Sequence, residues 1–283
     1  MKVLVKVGGT LLETAEDRLR IAAQVARQVR AGHQILVVHG GGKQLTQYLE
    51  RAGIASRFVN GFRVTTAETL DGVIKVFAGT VNHELLAAFV RVGLPAVGLS
   101  GIDARALVAE KLRGPDGQDF GFVGKIKDAN AGVWDVLIRA GYLPVMACLA
   151  VGEDGQIYNL NADQAAVACA VHWGEGQGGE GHADLLIFLT DVDGVRDAEG
   201  RTLTCLAGEE IPGLIASGAV TGGMLAKLSA VEEALHGGVS CVYIGNGHRD
   251  NALEGLLAGE ETGQGRAAAG TMITHAFAAS KRQ

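Results

Sequence analysis

The chain opens MKVLVKVGGTLL (residues 1–12), an apolar, strand-like run interrupted by Lys6 and ended by Gly8 and Gly9. A lysine inside a buried strand carries a desolvation cost, so it implies an anionic partner. Two glycines directly after it imply that something comes close to the backbone. Outward from this stretch the period changes. From about Asp17 to Arg30, Leu19, Ala22, Ala23, Ala26 and Val29 recur at three- and four-residue spacing, which predicts a helix ended by Gly32. QILVVHGGG (34–42) is a second buried strand running into a glycine turn, and the helix after it, 43–52, stops at Gly53. Apolar strands alternating with helices dictate an α/β fold with a mostly parallel sheet covered on both faces.

The alternation continues along the chain. Strands are predicted at 94–100, 142–151, 184–192 and 240–246, and helices at 67–92, 130–140, 161–173, 208–217 and 224–237. RGPDGQDFGFVGKIK (113–127) reads as a turn-rich flap or hairpin, and 174–183 as a glycine-rich surface loop. That loop contains a GxGxxG (Gly176, Gly178, Gly181), but a helix precedes it and a strand follows, the reverse of a dinucleotide fingerprint. No GxxxxGK[ST] loop is present, so a nucleotide must be held another way. Ligands of parallel sheets sit beyond the carboxyl ends of the strands. The GG at 8–9, HGGG at 39–42 and TDVDG at 190–194 all fall there.

Composition narrows the partners. With 283 residues, 48% hydrophobic and 20% charged, the chain can bury the core of one large domain or of two lobes. A net charge of −6 argues against nucleic acid as the main partner, while local groups can still bind small anions. The 42 glycines follow no repeat and read as turns and close backbone approaches. Cys148, Cys169, Cys205 and Cys241 lie in or beside apolar segments without CxxC spacing, which implies reduced thiols rather than disulfides or zinc. Without a charged-then-apolar leader or a run of about 18 apolar residues, the expectation is a cytoplasmic protein with no membrane partner.

Four motifs carry chemistry. HGGGKQ (39–44) lies where a strand meets a helix, and is either a tight turn or an anion cradle of backbone N–H groups. In NGFRVTTAET (60–69), Arg63 precedes a helix capped by Thr65 or Thr66; it either grips a carboxylate through two parallel hydrogen bonds or makes a surface ion pair. IYNLNADQAAVA (157–168) places Asn159 and Asn161 among apolar residues, with Asp163 at a helix start, where it caps the helix or positions lysines. VTGGMLAKLSAVEEAL (220–235) puts a second glycine pair and Lys227 at the start of another helix, the lysine being solvated or functional. Together, two lysines, an arginine and glycine-lined turns describe a centre for phosphoryl transfer, which needs positioning and positive charge more than covalent help. If the acceptor is a carboxylate it is already ionised, and no general base is required.

The ordered set KVGGTLL, VVHGGGKQ, NGFRVT, GFVG, GYLPV, NLNADQAA, LTDVDGV, GGMLAKL and GTMI resembles the amino-acid kinase family, and within it the acetylglutamate kinases, from residue 2 to about 273. The resemblance implies a three-layer αβα sandwich around an open, mainly parallel sheet of about eight strands. It implies one domain over 1–283, whose N-terminal lobe (1–173) binds the acidic substrate and makes the dimer contact, and whose C-terminal lobe (184–283) binds ATP. The implied reaction is phosphorylation of the γ-carboxylate of N-acetyl-L-glutamate in arginine synthesis. By matching position, Lys6 and Lys227 stabilise the transferring phosphoryl group and Asp163 orients them. Gly41, Gly42, Arg63 and Asn159 bind the substrate. Gly8 and Gly9 contact phosphates, and Thr190, Asp191 and Gly194, with Met224 beside them, form the nucleotide site. Magnesium is implied on the ATP phosphates and water, with no protein ligand.

Ala226 stands where the family commonly has proline, and Lys125 where an acidic residue is usual in the flap; the second departure bears on the acyl group. The stretches 174–183 and 259–269 lengthen surface loops. Arginine-inhibited relatives carry an extra helix ahead of the first strand, and only five residues precede Lys6. The expectation is therefore a homodimer, joined through 67–92, without arginine feedback of that kind. Two other readings remain at this level: a kinase for an N-acylated aminoadipate or carrier-bound substrate of lysine synthesis, and a catalytically silent ligand-binding member.

Overall fold

Val3, Leu4, Val5 and Val7 are fully buried along β1 (Lys2–Val7), on both faces of the strand, which is why the opening stretch reads as a continuous apolar run. The computed structural model describes residues 1–59, 61–114, 117–174, 181–262 and 270–275; Asn60, Gly176 and Gly178 of the GxGxxG, and most of 259–269 lie outside them. After β1 come α1 (Ala15–Arg30), β2 (Gln34–His39), α2 (Gly42–Arg51) and a short ribbon of β3 (Phe58–Val59) and β4 (Phe62–Arg63). A continuous helical stretch follows, made of α3 (Ala67–Val73), a π segment (Ile74–Val81) and α4 (Asn82–Arg91). Next are β5 (Ala96–Ser100), β6 (Leu107–Arg113), β7 (Asp119–Ala129), α5 (Gly132–Arg139), β8 (Leu143–Ala147), β9 (Leu149–Val151), β10 (Ile157–Asn159) and α6 (Ala162–Val171). The C-terminal half holds β11 (Leu185–Thr190), β12 (Cys205–Ala207), α7 (Ile211–Ala216), α8 (Gly222–His236), β13 (Cys241–Asn246), α9 (Ala252–Thr262) and β14 (Gly270–Thr274).

Eight strands form one sheet in the order β12-β14-β13-β11-β1-β2-β8-β5, parallel except where β14 runs against β13. With helices around it, this is the three-layer α/β architecture expected from the alternation. β1 sits at the middle, hydrogen-bonded to β2 on one side and β11 on the other, with Lys6 in register with Val38 and Phe188. After β1 the chain fills the β2 side of the sheet with β2, β5 and β8, and after β11 it fills the opposite side with β12, β13 and β14. The crevice beyond the carboxyl ends of β1 and β11 is therefore the topological switch point, where such sheets bind ligands. Lys6 is the penultimate residue of the strand that borders it.

Two elements differ from the sequence reading. The strand predicted at 142–151 breaks at Cys148: β8 stays in the main sheet, and β9 leaves it to pair with β10. The apolar run is continuous because both halves are buried, but they belong to different sheets. The hairpin predicted at 113–127 is longer, with β6 and β7 antiparallel through two irregularities, and these four strands close a small barrel, β10-β7-β6-β9. Two backbone bonds stitch that barrel to the arginine loop, from Thr65 N–H to Phe120 O (2.9 Å) and from Phe122 N–H to Thr65 O (2.7 Å). The stretch Ala67–Arg91 has the length and composition to cross a membrane. It instead lays Val73, Val76, Phe77, Val81, Leu85 and Phe89 into the core, with α4 against α1 and β5.

Candidate active site

Lys6, Asp163 and Lys227 meet at the switch point. Lys6 Nζ lies 2.7 Å from Asp163 Oδ1 and Lys227 Nζ 3.0 Å from Asp163 Oδ2, so one carboxylate bridges the two ammonium groups. The helix start that holds the aspartate is capped by another residue. Asn161 Oδ1 accepts the N–H groups of Asp163 (2.8 Å) and Gln164 (3.2 Å), which leaves the Asp163 side chain available to the lysines. Lys227 lies in the second turn of α8, its ammonium 5.0 Å from the ring centroid of Phe188, the β11 residue in register with Lys6.

The charges do not balance. Burial raises the Asp163 carboxyl, but Lys6 and Lys227 outweigh it and bring the group down to about 2. Lys227 is lowered, chiefly by burial and then by repulsion from Lys6, which Asp163 only partly offsets. With Asp163 ionised and both lysines protonated, the trio carries one net positive charge in a nearly buried place, which favours an anion.

Glycine turns bring backbone to the same spot. A Cβ on Gly9 would stand 3.6 Å from Gly42 N and 3.8 Å from Lys43 N, so the turn after β1 abuts the N-terminus of α2. Gly8 donates its own N–H to Leu189 O at 2.9 Å, which commits that donor to the sheet rather than to a phosphate. At Gly41 a Cβ would come 2.8 Å from Phe77 Cδ1. Gly41→Ala should therefore displace Phe77 or the loop, costing about 1–3 kcal/mol as overpacking; thermal melts and the KM for the acceptor should both register it.

A cavity of about 170 Å³ opens beside the trio, walled by Gly40, Gly41, Gly42, Leu45, Phe58, Gly61, Phe62, Arg63, Phe77, Val123, Asn159, Leu160, Asn161 and Ala162. The sequence's four substrate-binding candidates, Gly41, Gly42, Arg63 and Asn159, all line it. Arg63 donates to Ser56 Oγ (2.5 Å), Thr46 Oγ1 (2.7 Å) and Gly42 O (3.2 Å), and stacks on Phe58 at 4.5 Å. Burial alone lowers its pKa, and among the described residues it has no carboxylate partner. Asn159 donates to Thr65 Oγ1 at 3.1 Å while its Oδ1 is buried without a partner. A buried cation without a carboxylate and a buried acceptor without a donor, on two residues that line one cavity, suit a ligand with an anion and an N–H. Lys125 is exposed and does not line the cavity; the flap residue that does is Val123.

The nucleotide candidates cluster past β11. Thr190 ends the strand and donates to Asp191 Oδ1 at 3.1 Å, and the Asp191 charge contributes to the field at Lys227. Gly194 has φ +151°, and a Cβ there would lie 2.4 Å from Thr271 Oγ1. Met224, in the first turn of α8, packs on the core. Sequence reasoning missed Asp193, which accepts from Asn246 Nδ2 (3.1 Å) and Arg249 Nη2 (2.7 Å) across the ends of β11 and β13. It also missed Gln44, whose Nε2 donates to Gly9 O at 3.0 Å and ties the two glycine turns together. The TDVDG motif pointed to the first region and HGGGKQ to the second, but neither motif singled out these two side chains.

The model of the Amino acid kinase family matches residues 1–246. The chain belongs to that family. Among its relatives, the acetylglutamate kinase of Solibacter usitatus is 50% identical over 263 residues, covering 93% of this chain and 98% of the relative. That of Methanopyrus kandleri is 41% identical over 265 residues, covering 92% and 98%. The N-acetylglutamate synthase of Neisseria gonorrhoeae, solved with coenzyme A and N-acetyl-glutamate, superposes with a TM-score of 0.82 at 27% identity. It matches 98% of this chain, which spans only 60% of that one. Carbamate kinase of Giardia lamblia bound to AMP-PNP, at 17% identity and a TM-score of 0.67 over 97% of this chain and 98% of that one, shares the fold of this amino acid kinase.

Proposed function

We propose that this amino acid kinase transfers the γ-phosphoryl group of ATP to the γ-carboxylate of N-acetyl-L-glutamate, a step of arginine biosynthesis. The observation that carries it is the cavity: a buried arginine without a carboxylate and an asparagine oxygen without a donor, next to a lysine pair with surplus positive charge. The α-carboxylate of the acceptor meets Arg63, its amide N–H meets Asn159 Oδ1, and the small apolar acetyl end meets walls such as Phe77 and Val123. Relatives named acetylglutamate kinase at 50% and 41% identity support the same acceptor. N-terminal residues 1–173 take the acceptor and 184–283 the ATP.

In the transfer, an oxygen of the γ-carboxylate attacks the γ-phosphorus, the bond to the bridging oxygen of ADP breaks, and ADP leaves with that electron pair. No proton moves. Lys6 and Lys227 meet the charge spread over the transferring oxygens, and Asp163 keeps both in place. The trio does not fit a divalent cation, because two ammonium groups flank its carboxylate; magnesium comes with ATP on the phosphates. A cytoplasmic homodimer is the proposed setting, with the helical stretch Ala67–Arg91 at the contact, where Val90 is 70% exposed.

An ADP-release assay across N-acetylglutamate, N-acetylaspartate, N-acetyl-aminoadipate and free glutamate tests the assignment. The highest kcat/KM is expected for N-acetylglutamate, and preference for any other acceptor overturns it. Arg63→Lys should raise the acceptor KM about tenfold with the ATP KM nearly unchanged, because lysine cannot make the planar two-bond contact. A shift confined to the ATP KM contradicts the role.

A further inference from the structure

The imidazole of His39 ends β2, wholly buried between the glycine loop and the helical stretch 67–91. Its Nδ1 lies 2.7 Å from Gly40 O and its Nε2 2.9 Å from Asn82 Nδ2. A carbonyl only accepts and an amide NH₂ only donates, so the tautomer is fixed: Nδ1–H donates to Gly40 O, and Nε2 accepts from Asn82. Burial pulls the imidazole down to about 4, consistent with a neutral ring. The second Asn82 N–H goes to Val145 O at 3.1 Å, on β8. A Cβ on Gly98 would stand 2.0 Å from Asn82 Oδ1, so Asn82 occupies its place only because residue 98 has no side chain.

Asn82 reaches the glycine loop because of the π segment before it. Residues five apart on an α-helix stand roughly 140° apart around the axis, whereas π bonding, from i to i+5, stacks them on one face. The Asn82 N–H reaches the Phe77 carbonyl five residues back. Phe77 and Asn82 thereby both face the loop, Phe77 against Gly41 and Asn82 through His39 against Gly40 O. An unbroken α-helix would present one of them and turn the other away.

We propose that Asn82 and His39 are positioning residues, which fix the Gly40 carbonyl and so aim the backbone N–H groups of the Gly41–Gly42 turn at the acceptor, and that the π segment exists to bring Asn82 to that task. Neither side chain touches the reacting atoms. Phosphoryl transfer depends on sub-ångström alignment, so loosening the turn acts on turnover and on acceptor binding while the nucleotide half stays intact.

Two variants reach the same link by separate routes. Asn82→Ala removes the donor to His39, and Gly98→Ala drives Asn82 off it from behind. Both are expected to lower kcat about tenfold and raise the acceptor KM several-fold, with the ATP KM within twofold. Unchanged acceptor kinetics, or equal changes in both KM values, overturn the proposal. The tautomer is read on the unaltered protein by ¹⁵N NMR of histidine-labelled material: His39 should carry its proton on Nδ1, and an Nε2–H form overturns the proposal whatever the variants do. The assay rests on the acceptor assigned above. Failure of the unaltered protein to phosphorylate N-acetylglutamate counts against that assignment, whereas the tautomer measurement needs no substrate.

Discussion

Lys227→Ala is expected to lower turnover by about 10²-fold or more, the loss typical of removing one donor to a developing anion, with the protein still folded. The lysine is buried at some cost: its pKa is lowered by desolvation and by Lys6 more than Asp163 restores. Removing it breaks the 3.0 Å pair with Asp163 Oδ2 and the contact with Phe188, but leaves Asp163 paired with Lys6 at 2.7 Å, so no carboxylate is orphaned. Thermal stability should therefore change little. Both KM values should stay near normal, since the ammonium matters most when charge moves onto the transferring oxygens. Steady-state kinetics on folded protein check this, and near-normal turnover removes Lys227 from the mechanism. A second signature lies in pH. The ammonium form is the useful one, so activity should fall as pH rises through the Lys227 pKa, below the usual lysine value of 10.5. That alkaline limb should disappear from the residual rate of the variant.

The sheet was legible because the buried strands are continuous apolar runs and the helices between them keep a three-to-four-residue period. The carboxyl-end location of the site followed from the same alternation. Joining residues 6, 63, 159, 163 and 227 required more, since no spacing rule links positions up to 221 apart; the ordered motifs did it by resemblance. Where local pattern misled, tertiary structure explains why. Leu143–Val151 is one apolar run to the eye, yet it serves two sheets. Asp163 reads as a cap from its place at a helix start, but Asn161, two residues earlier, takes that role. The π segment left no trace in the sequence, because IKVFAGTV has an ordinary apolar helix composition. Gly98 looks like any strand glycine until Asn82 Oδ1 is seen to fill the volume of its missing side chain.

Asp163→Asn should be the most damaging single-atom-scale change in the chain, to stability and to turnover together. The carboxylate holds two buried ammonium groups at 2.7 and 3.0 Å; without its charge they face each other with nothing between them but an amide. Breaking a buried charge cluster on one side costs on the order of 3–5 kcal/mol, and the pair can relieve part of that if Lys227, already lowered, gives up its proton. Either outcome removes the arrangement transfer needs: two charged lysines held apart is the wrong geometry, and one neutral lysine is the wrong charge. Denaturant unfolding should show how the loss depends on pH. The Asp163 pKa falls from 3.8 to about 2 on folding, so its contribution is complete above the unfolded value and is lost as pH drops through the folded one. That shift corresponds to about 2 kcal/mol. The unaltered protein should therefore lose stability between about pH 4 and pH 2 by this route, and the variant, lacking the group, should show a shallower acid arm. The two curves should lie furthest apart at neutral pH and converge at the acid end. Parallel curves across that window would mean that the carboxylate does not bridge the lysines in solution. Sulfate should raise the melting temperature of the variant more than that of the unaltered protein, because a site with two uncompensated ammonium groups binds an anion more tightly than one whose charge is half neutralised.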